Sequence, residues 1–132
     1  MLEIGVGAEL GSLKYYMFDQ PEFNTFNREI IPHIEQRGFP KLLKVKDVPV
    51  QPLSKILSDT LRPDQEIDFM DVDCEGLDLV VLKSNDWKRF RPRMLVAEVD
   101  PDNPETHQFM RRIHYALFAK TFSSTFYIDT KR

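Results

Sequence analysis

Hydrophobic and polar positions change their period along this chain, and the changes mark out its elements. Leu13-Lys14-Tyr15-Tyr16-Met17-Phe18 is aromatic and β-prone, and Lys41 to Val50 carries a second extended signal ended by prolines, so both stretches predict strands. Between them Phe26, Ile30 and Ile34 recur at helical spacing after the possible caps Asn24 and Thr25, with Pro32 expected to kink or restart the helix. Leu53, Ile56, Leu57 and Leu61 share one helical face, which needs a sheet or another helix to lie against. A strand over 67–73 follows, and Leu77-Asp78-Leu79-Val80-Val81-Leu82-Lys83 is apolar enough for a buried helix.

The remaining third repeats the alternation. Met94-Leu95-Val96-Ala97-Glu98-Val99 reads as a buried strand. Asn103 can cap a helix that has Pro104 at its first position and buries Phe109 and Ile113. Tyr115 to Ala119 and Thr125 to Ile128 predict a closing strand pair around Thr121 to Ser124. Strands alternating with helices and ending in a strand pair predict an α/β fold, with a mostly parallel sheet and an antiparallel C-terminal edge. No repeat, low-complexity tract or linker divides the chain, so residues 1–132 are expected to form a single domain.

Composition narrows the function classes. A net charge of −3 with 30% charged residues gives no reason to expect nucleic-acid or anionic-membrane partners through bulk electrostatics. The one cysteine, Cys74, cannot form an internal disulfide, and no secretory or membrane-length apolar run is present, so a reducing, cytoplasmic setting is expected. A length of 132 residues suits one domain and is short for a whole nucleotide-dependent enzyme.

Candidate chemistry concentrates in Ile67-Asp68-Phe69-Met70-Asp71-Val72-Asp73-Cys74-Glu75-Gly76, where an apolar run ends in closely spaced carboxylates and a glycine. Open α/β sheets bind ligands at the carboxyl ends of their strands, so Asp73 and Glu75 can orient a hydroxyl, accept its proton or bind a divalent ion; a solvated turn uses the same residues. Glu98 and Asp100 end the next strand and can complete an acidic site, while Asn24 and Thr25 can either hydrogen-bond a substrate or cofactor or cap the helix that follows. His33, His107 and His114 have no metal-ligand spacing, and no metal site is expected. Cys74 reads as a small strand-end residue rather than a nucleophile, and Lys88, Arg89, Arg91 and Arg93 as a solvated basic face. Leu2-Glu3-Ile4-Gly5-Val6-Gly7-Ala8-Glu9-Leu10-Gly11 looks like a glycine-rich cofactor loop. A strand rather than a helix is expected after it, so a plain strand and turn is the better reading.

Taken in order, several segments resemble the FkbM-type methyltransferase family. They are Gly11 to Tyr16 with Pro21-Glu22-Phe23-Asn24-Thr25-Phe26, Ile67 to Gly76, Leu82-Lys83-Ser84-Asn85-Asp86-Trp87, Arg91-Pro92 and Ala119-Lys120-Thr121-Phe122. His114 stands where the family commonly has glycine. The resemblance implies a Rossmann-like class I methyltransferase fold, S-adenosylmethionine as cofactor, and O-methyl transfer to a small-molecule acceptor such as a hydroxyl on a saccharide or natural product. By this likeness Asp73 and Glu75 are the catalytic candidates and Asn24, Thr25 and Glu98 the substrate-binding ones, with the cofactor-binding residues unassigned. It covers the later part of the family domain, without the usual N-terminal cofactor-binding strands, which implies weak cofactor binding by this chain alone. Two other readings stay open: a metal-dependent nucleotide-sugar transferase using Asp71-Val72-Asp73, and a noncatalytic interaction module.

Overall fold

The computed structural model describes residues 4–132. Its strands fall into two mixed sheets. In the first, β1 (Gly5–Val6) pairs parallel with β3 (Leu42–Gln51), and β3 pairs antiparallel with β2 (Gly11–Phe18). In the second the order is β4 (Ile67–Val72), β5 (Pro92–Ala97), β7 (Thr125–Asp129), β6 (Tyr115–Lys120). There β4 and β5 run parallel, while β7 is antiparallel to both β5 and β6.

The expected antiparallel C-terminal edge is therefore present, but the expected mostly parallel sheet is not. The reason lies in the connection from β2 to β3. Pro32 restarts the chain as a short helix, α1 (Ile31–Glu35), after a 3-10 turn at Arg28–Ile30, instead of continuing a long crossover helix. That short connection returns the chain antiparallel beside β2, in register from Gly11 opposite Val50 to Tyr16 opposite Val45. Tyr16, Phe18 and Ile34 make a small core of their own beneath this hairpin.

The larger core lies on one face of the four-stranded sheet. Val72, Leu95, Ala97, Tyr115 and Tyr127 meet Val81 and Leu82 of α3 (Asp78–Lys83) and Phe109 and Met110 of α4 (Pro104–Arg112). Leu53 of α2 (Leu53–Thr60) packs at its margin. Asn103 caps α4 as its sequence predicts, its side chain accepting from the Glu105 N–H, with Pro104 at the first helical position. Strand alternation sends Phe69, Met94 and Ile128 to the opposite face, where Phe69 stays 55% exposed.

The end of α4 answers the glycine question raised at His114. This residue takes φ +62°, the left-handed conformation that glycine enters most easily, and turns the chain into β6. The N-terminal run resolves in the same local terms: over its described residues, Gly5–Val6 is a strand and the chain then bends into β2, with no helix after the glycines. Leu2 and Glu3 lie outside the described residues.

Candidate functional site

Parallel pairing of β4 with β5 puts their carboxyl ends side by side, the last registered pair being Val72 and Ala97. Asp73 and Glu98 are the next residue on each strand, so two acidic side chains emerge together as the ladder ends. The turn Cys74-Glu75-Gly76 then leads into α3. Glu75 has φ +46° and Gly76 φ +85°. The glycine adopts this at little cost, but for Glu75 the left-handed backbone is a strain of the kind found at functional sites.

What holds Glu75 there comes from far away in sequence. Thr25, only 2% exposed, donates its hydroxyl to the Glu75 carbonyl at 3.3 Å and accepts from the Asn27 N–H at 2.9 Å. Its own backbone pairs with Tyr16 in both directions, which anchors the loop to β2. Asn24, Thr25, Asp73, Cys74 and Glu75 line one cavity of about 220 Å³, with Val6, Tyr15, Phe26 and Leu77 among its walls. The two loops thus meet, although β2 and β4 belong to different sheets and strand pairing does not bring them together. A second groove, of about 620 Å³, adjoins it through Val6, Phe26 and Leu77.

Asn24 is not the N-cap of the helix that follows; it ends the 3-10 turn Pro21–Phe23, its N–H donating to the Pro21 carbonyl. Its side-chain oxygen accepts from the Phe18 N–H at 2.7 Å, closing the turn after β2, and Asn27 caps the next turn by accepting from the Glu29 N–H. Glu98 is exposed and faces the acidic turn without lining the cavity.

Burial, reinforced by like charge, sets the electrostatics of the turn. Burial first, then Asp73, Glu98 and Asp78, push the Glu75 carboxyl above its ordinary range, with Arg37 offsetting in part. Partial desolvation and the neighbouring Asp73 and Asp78 do the same to the otherwise exposed Glu98, with Ser123 offsetting in part. Burial, helped by Asp78, Asp73 and Glu75, pushes the Cys74 thiol up to about 11, so it stays protonated and weakly nucleophilic, as its surroundings in sequence suggest. Among the described residues no three His, Cys, Asp or Glu side chains are grouped to hold a metal ion.

Two acids escape a reading by sequence. Asp78, 1% exposed, lies beneath the turn with one oxygen accepting from the Cys74 N–H at 3.3 Å. Asp129 is buried at the other end of the sheet and paired with Arg91. The signal for Asp129 was its period: Thr125, Tyr127 and Asp129 fall on one face of β7, so an acid follows two buried residues inward and needs a partner.

Comparison with curated proteins gives no match, and comparison with solved structures gives none. The model of the methyltransferase FkbM domain, by contrast, matches residues 3–119, nearly nine-tenths of the chain, and includes both loops of the cavity. Among the described residues no helix is long and apolar enough to cross a membrane. The chain belongs to the FkbM methyltransferase domain family.

Proposed function

We propose that this chain carries the acceptor side of an S-adenosylmethionine-dependent O-methyltransferase site, with Glu75 as general base. The observation that carries the reading is Glu75 itself: its backbone is held at φ +46°, and burial together with a cluster of acids raises its proton affinity. A carboxylate whose pKa is raised is the better proton acceptor for a hydroxyl, and strain maintained by a tertiary hydrogen bond supports a role beyond solvation.

The residues fit the reacting end of the cofactor, since Asp73, Glu75 and Glu98 offer negative charge to a sulfonium. They fit its adenosyl end poorly, because the glycines of the N-terminal run precede a strand, and their amides are not presented at a helix start. When bound, the cofactor supplies an electrophilic methyl group. The chain's part is to hold the acceptor hydroxyl in line and remove its proton. Asp73 would accept a hydrogen bond from a neighbouring hydroxyl of the substrate and so orient it, while Glu75 would take the proton of the hydroxyl that receives the methyl group and release it to water; the cofactor would leave as its thioether. Asn24, its oxygen occupied by Phe18, keeps an amide N–H₂ to donate to a second acceptor oxygen. Thr25 acts through Glu75 by holding its carbonyl.

Crowded carboxylates disfavour an anionic substrate, so the reading favours a neutral hydroxylated one such as a saccharide or a natural product over a nucleotide sugar. The test is transfer of labelled methyl from S-adenosylmethionine at millimolar concentration to a panel of neutral glycosides and their phosphorylated counterparts. Methylation of neutral glycosides, lost in Glu75→Gln, is expected; labelling confined to the phosphorylated compounds, or unchanged in the variant, would overturn it. Calorimetric titration of the chain with the cofactor should show binding weaker than micromolar. A stoichiometric micromolar complex would instead assign a cofactor role to the glycine run.

A further inference from the structure

Three aromatic side chains with polar tips belong to the larger core, and one of them goes unanswered. The Trp87 Nε1–H donates to the Leu82 carbonyl at 2.8 Å, and the Tyr115 hydroxyl donates to the Pro92 carbonyl at 2.6 Å. Tyr127 is only 3% exposed, yet among the described residues nothing accepts from its hydroxyl. Burial, then Asp100 and Asp102, push that hydroxyl up to about 12, so it stays protonated and remains a donor. A buried donor left unmet is costly, and native interiors hold few of them.

The chain leaves room beside this tyrosine. Tyr127 stands in register with Leu95 on one side and Leu117 on the other, and lines a cavity of about 370 Å³ between α4 and β6. That volume suits a small organic molecule. No wall of this cavity is shared with the one that holds Asp73 and Glu75. Met110 and Leu117 make its sides apolar. Its walls follow α4 from Asp102, just before the helix, to Arg111 in the last turn, a run of roughly 10 Å at 1.5 Å per residue. Asp102 is paired with Lys120 at 3.7 Å, whereas Arg111 has no ion-pair partner among the described residues.

The two ends ask for different groups. Asp100 and Asp102 disfavour an anion next to Tyr127, so the atom that accepts from its hydroxyl should be a neutral oxygen. Beside Arg111 a carboxylate gains a charge-assisted hydrogen bond. We propose that the cavity between α4 and β6 binds a small aryl carboxylate with a neutral oxygen at its far end, that oxygen accepting from Tyr127 while the carboxylate pairs with Arg111. This site is independent of the methyl-transfer reading.

NMR titration of the labelled chain with 4-hydroxybenzoate, 4-methylbenzoate and 4-hydroxybenzamide tests both ends. The first should bind about tenfold more tightly than either of the others, with shifts at the Met110 and Leu117 amides. Tyr127→Phe should erase the preference for hydroxyl over methyl, and Arg111→Met the preference for carboxylate over amide. Equal affinities in the wild-type chain would mean that water serves the hydroxyl, and would overturn the proposal without any variant; so would shifts confined to other surfaces. Without ligand, Tyr127→Phe should melt no lower than the wild type, because it removes an unmet donor. A clearly lower midpoint would show that the hydroxyl already has a partner in the fold, and would also overturn it.

Discussion

The four-stranded sheet buries an aspartate at each end, and the two are treated in opposite ways. At Asp129 burial alone would raise the carboxyl, but bidentate hydrogen bonds from Arg91, the Lys131 amide and the charges of Arg91 and Arg132 outweigh it and hold the group below its ordinary range. Arg91 is in turn satisfied by the Trp87 and Ile113 carbonyls and stacks on Tyr115. At Asp78 burial is again the largest influence, but the answering groups are amides and the neighbours are acids, so the carboxyl stays above its ordinary range. Burial therefore does not distinguish a structural acid from one built into a site. The balance of partners does, and only one end of this sheet leaves its carboxylates in need of a ligand or a proton.

The comparison breaks most readily at its paired end. Arg91→Met should leave Asp129 buried without its counter-charge and cost about 3–5 kcal/mol in urea denaturation, whereas a loss below about 1 kcal/mol would make the pair no different from a surface one. At the acidic end the effect should fall on rate instead. Glu75→Gln or Asp73→Asn should lower turnover roughly a hundredfold while shifting unfolding by less than about 1 kcal/mol, and near-normal turnover in both would return these residues to a solvated turn.

Backbone substitutions in the turn sharpen the same contrast. Gly76→Ala should cost about 1–2 kcal/mol, since its φ is +85° and a new Cβ would lie 3.0 Å from the Asn27 amide nitrogen. Glu75→Gly should instead raise stability by up to about 1 kcal/mol while abolishing transfer, a trade expected where strain serves activity.

The smallest effect is the dependence on pH, and its sign differs between the ends. Asp129, lowered in the folded state, contributes stability that is present above its unfolded pKa and lost as pH falls through its folded value. Asp78, raised, binds its proton more tightly when folded, so its contribution is fully present below the unfolded pKa and lost as pH rises through the folded value. Denaturation curves collected across the acid range should show that second loss in the wild type and not in Asp78→Asn. An identical slope in the two proteins would place the loss elsewhere.

Much of this fold is legible in the sequence. Local signals placed the helix capped by Asn103, the strand ending at Val72 and the closing pair of β6 and β7, because each is fixed by residues near in sequence. The direction of β3 was not legible, since it turned on how far a helix interrupted by Pro32 could carry the chain. In the site, Asp73 and Glu75 stood out by spacing, and the chain does bring Asn24 and Thr25 to them. Asn24's bond to Phe18 and the support that Thr25 gives Glu75 across fifty residues depend on tertiary geometry that no periodicity encodes.

The outer position of β4 has a consequence for how the molecule behaves in company. Among the described residues this strand hydrogen-bonds to β5 alone, and on its open face Phe69 meets solvent. An edge of this kind is a template for another chain, and proteins commonly guard such edges with charge. Here the sentinels are Asp68 and Asp71, on either side of Phe69. Acids that look dispensable in a catalytic account would then guard the strand wherever it stands exposed, and strong acid, by neutralising them, would remove that guard.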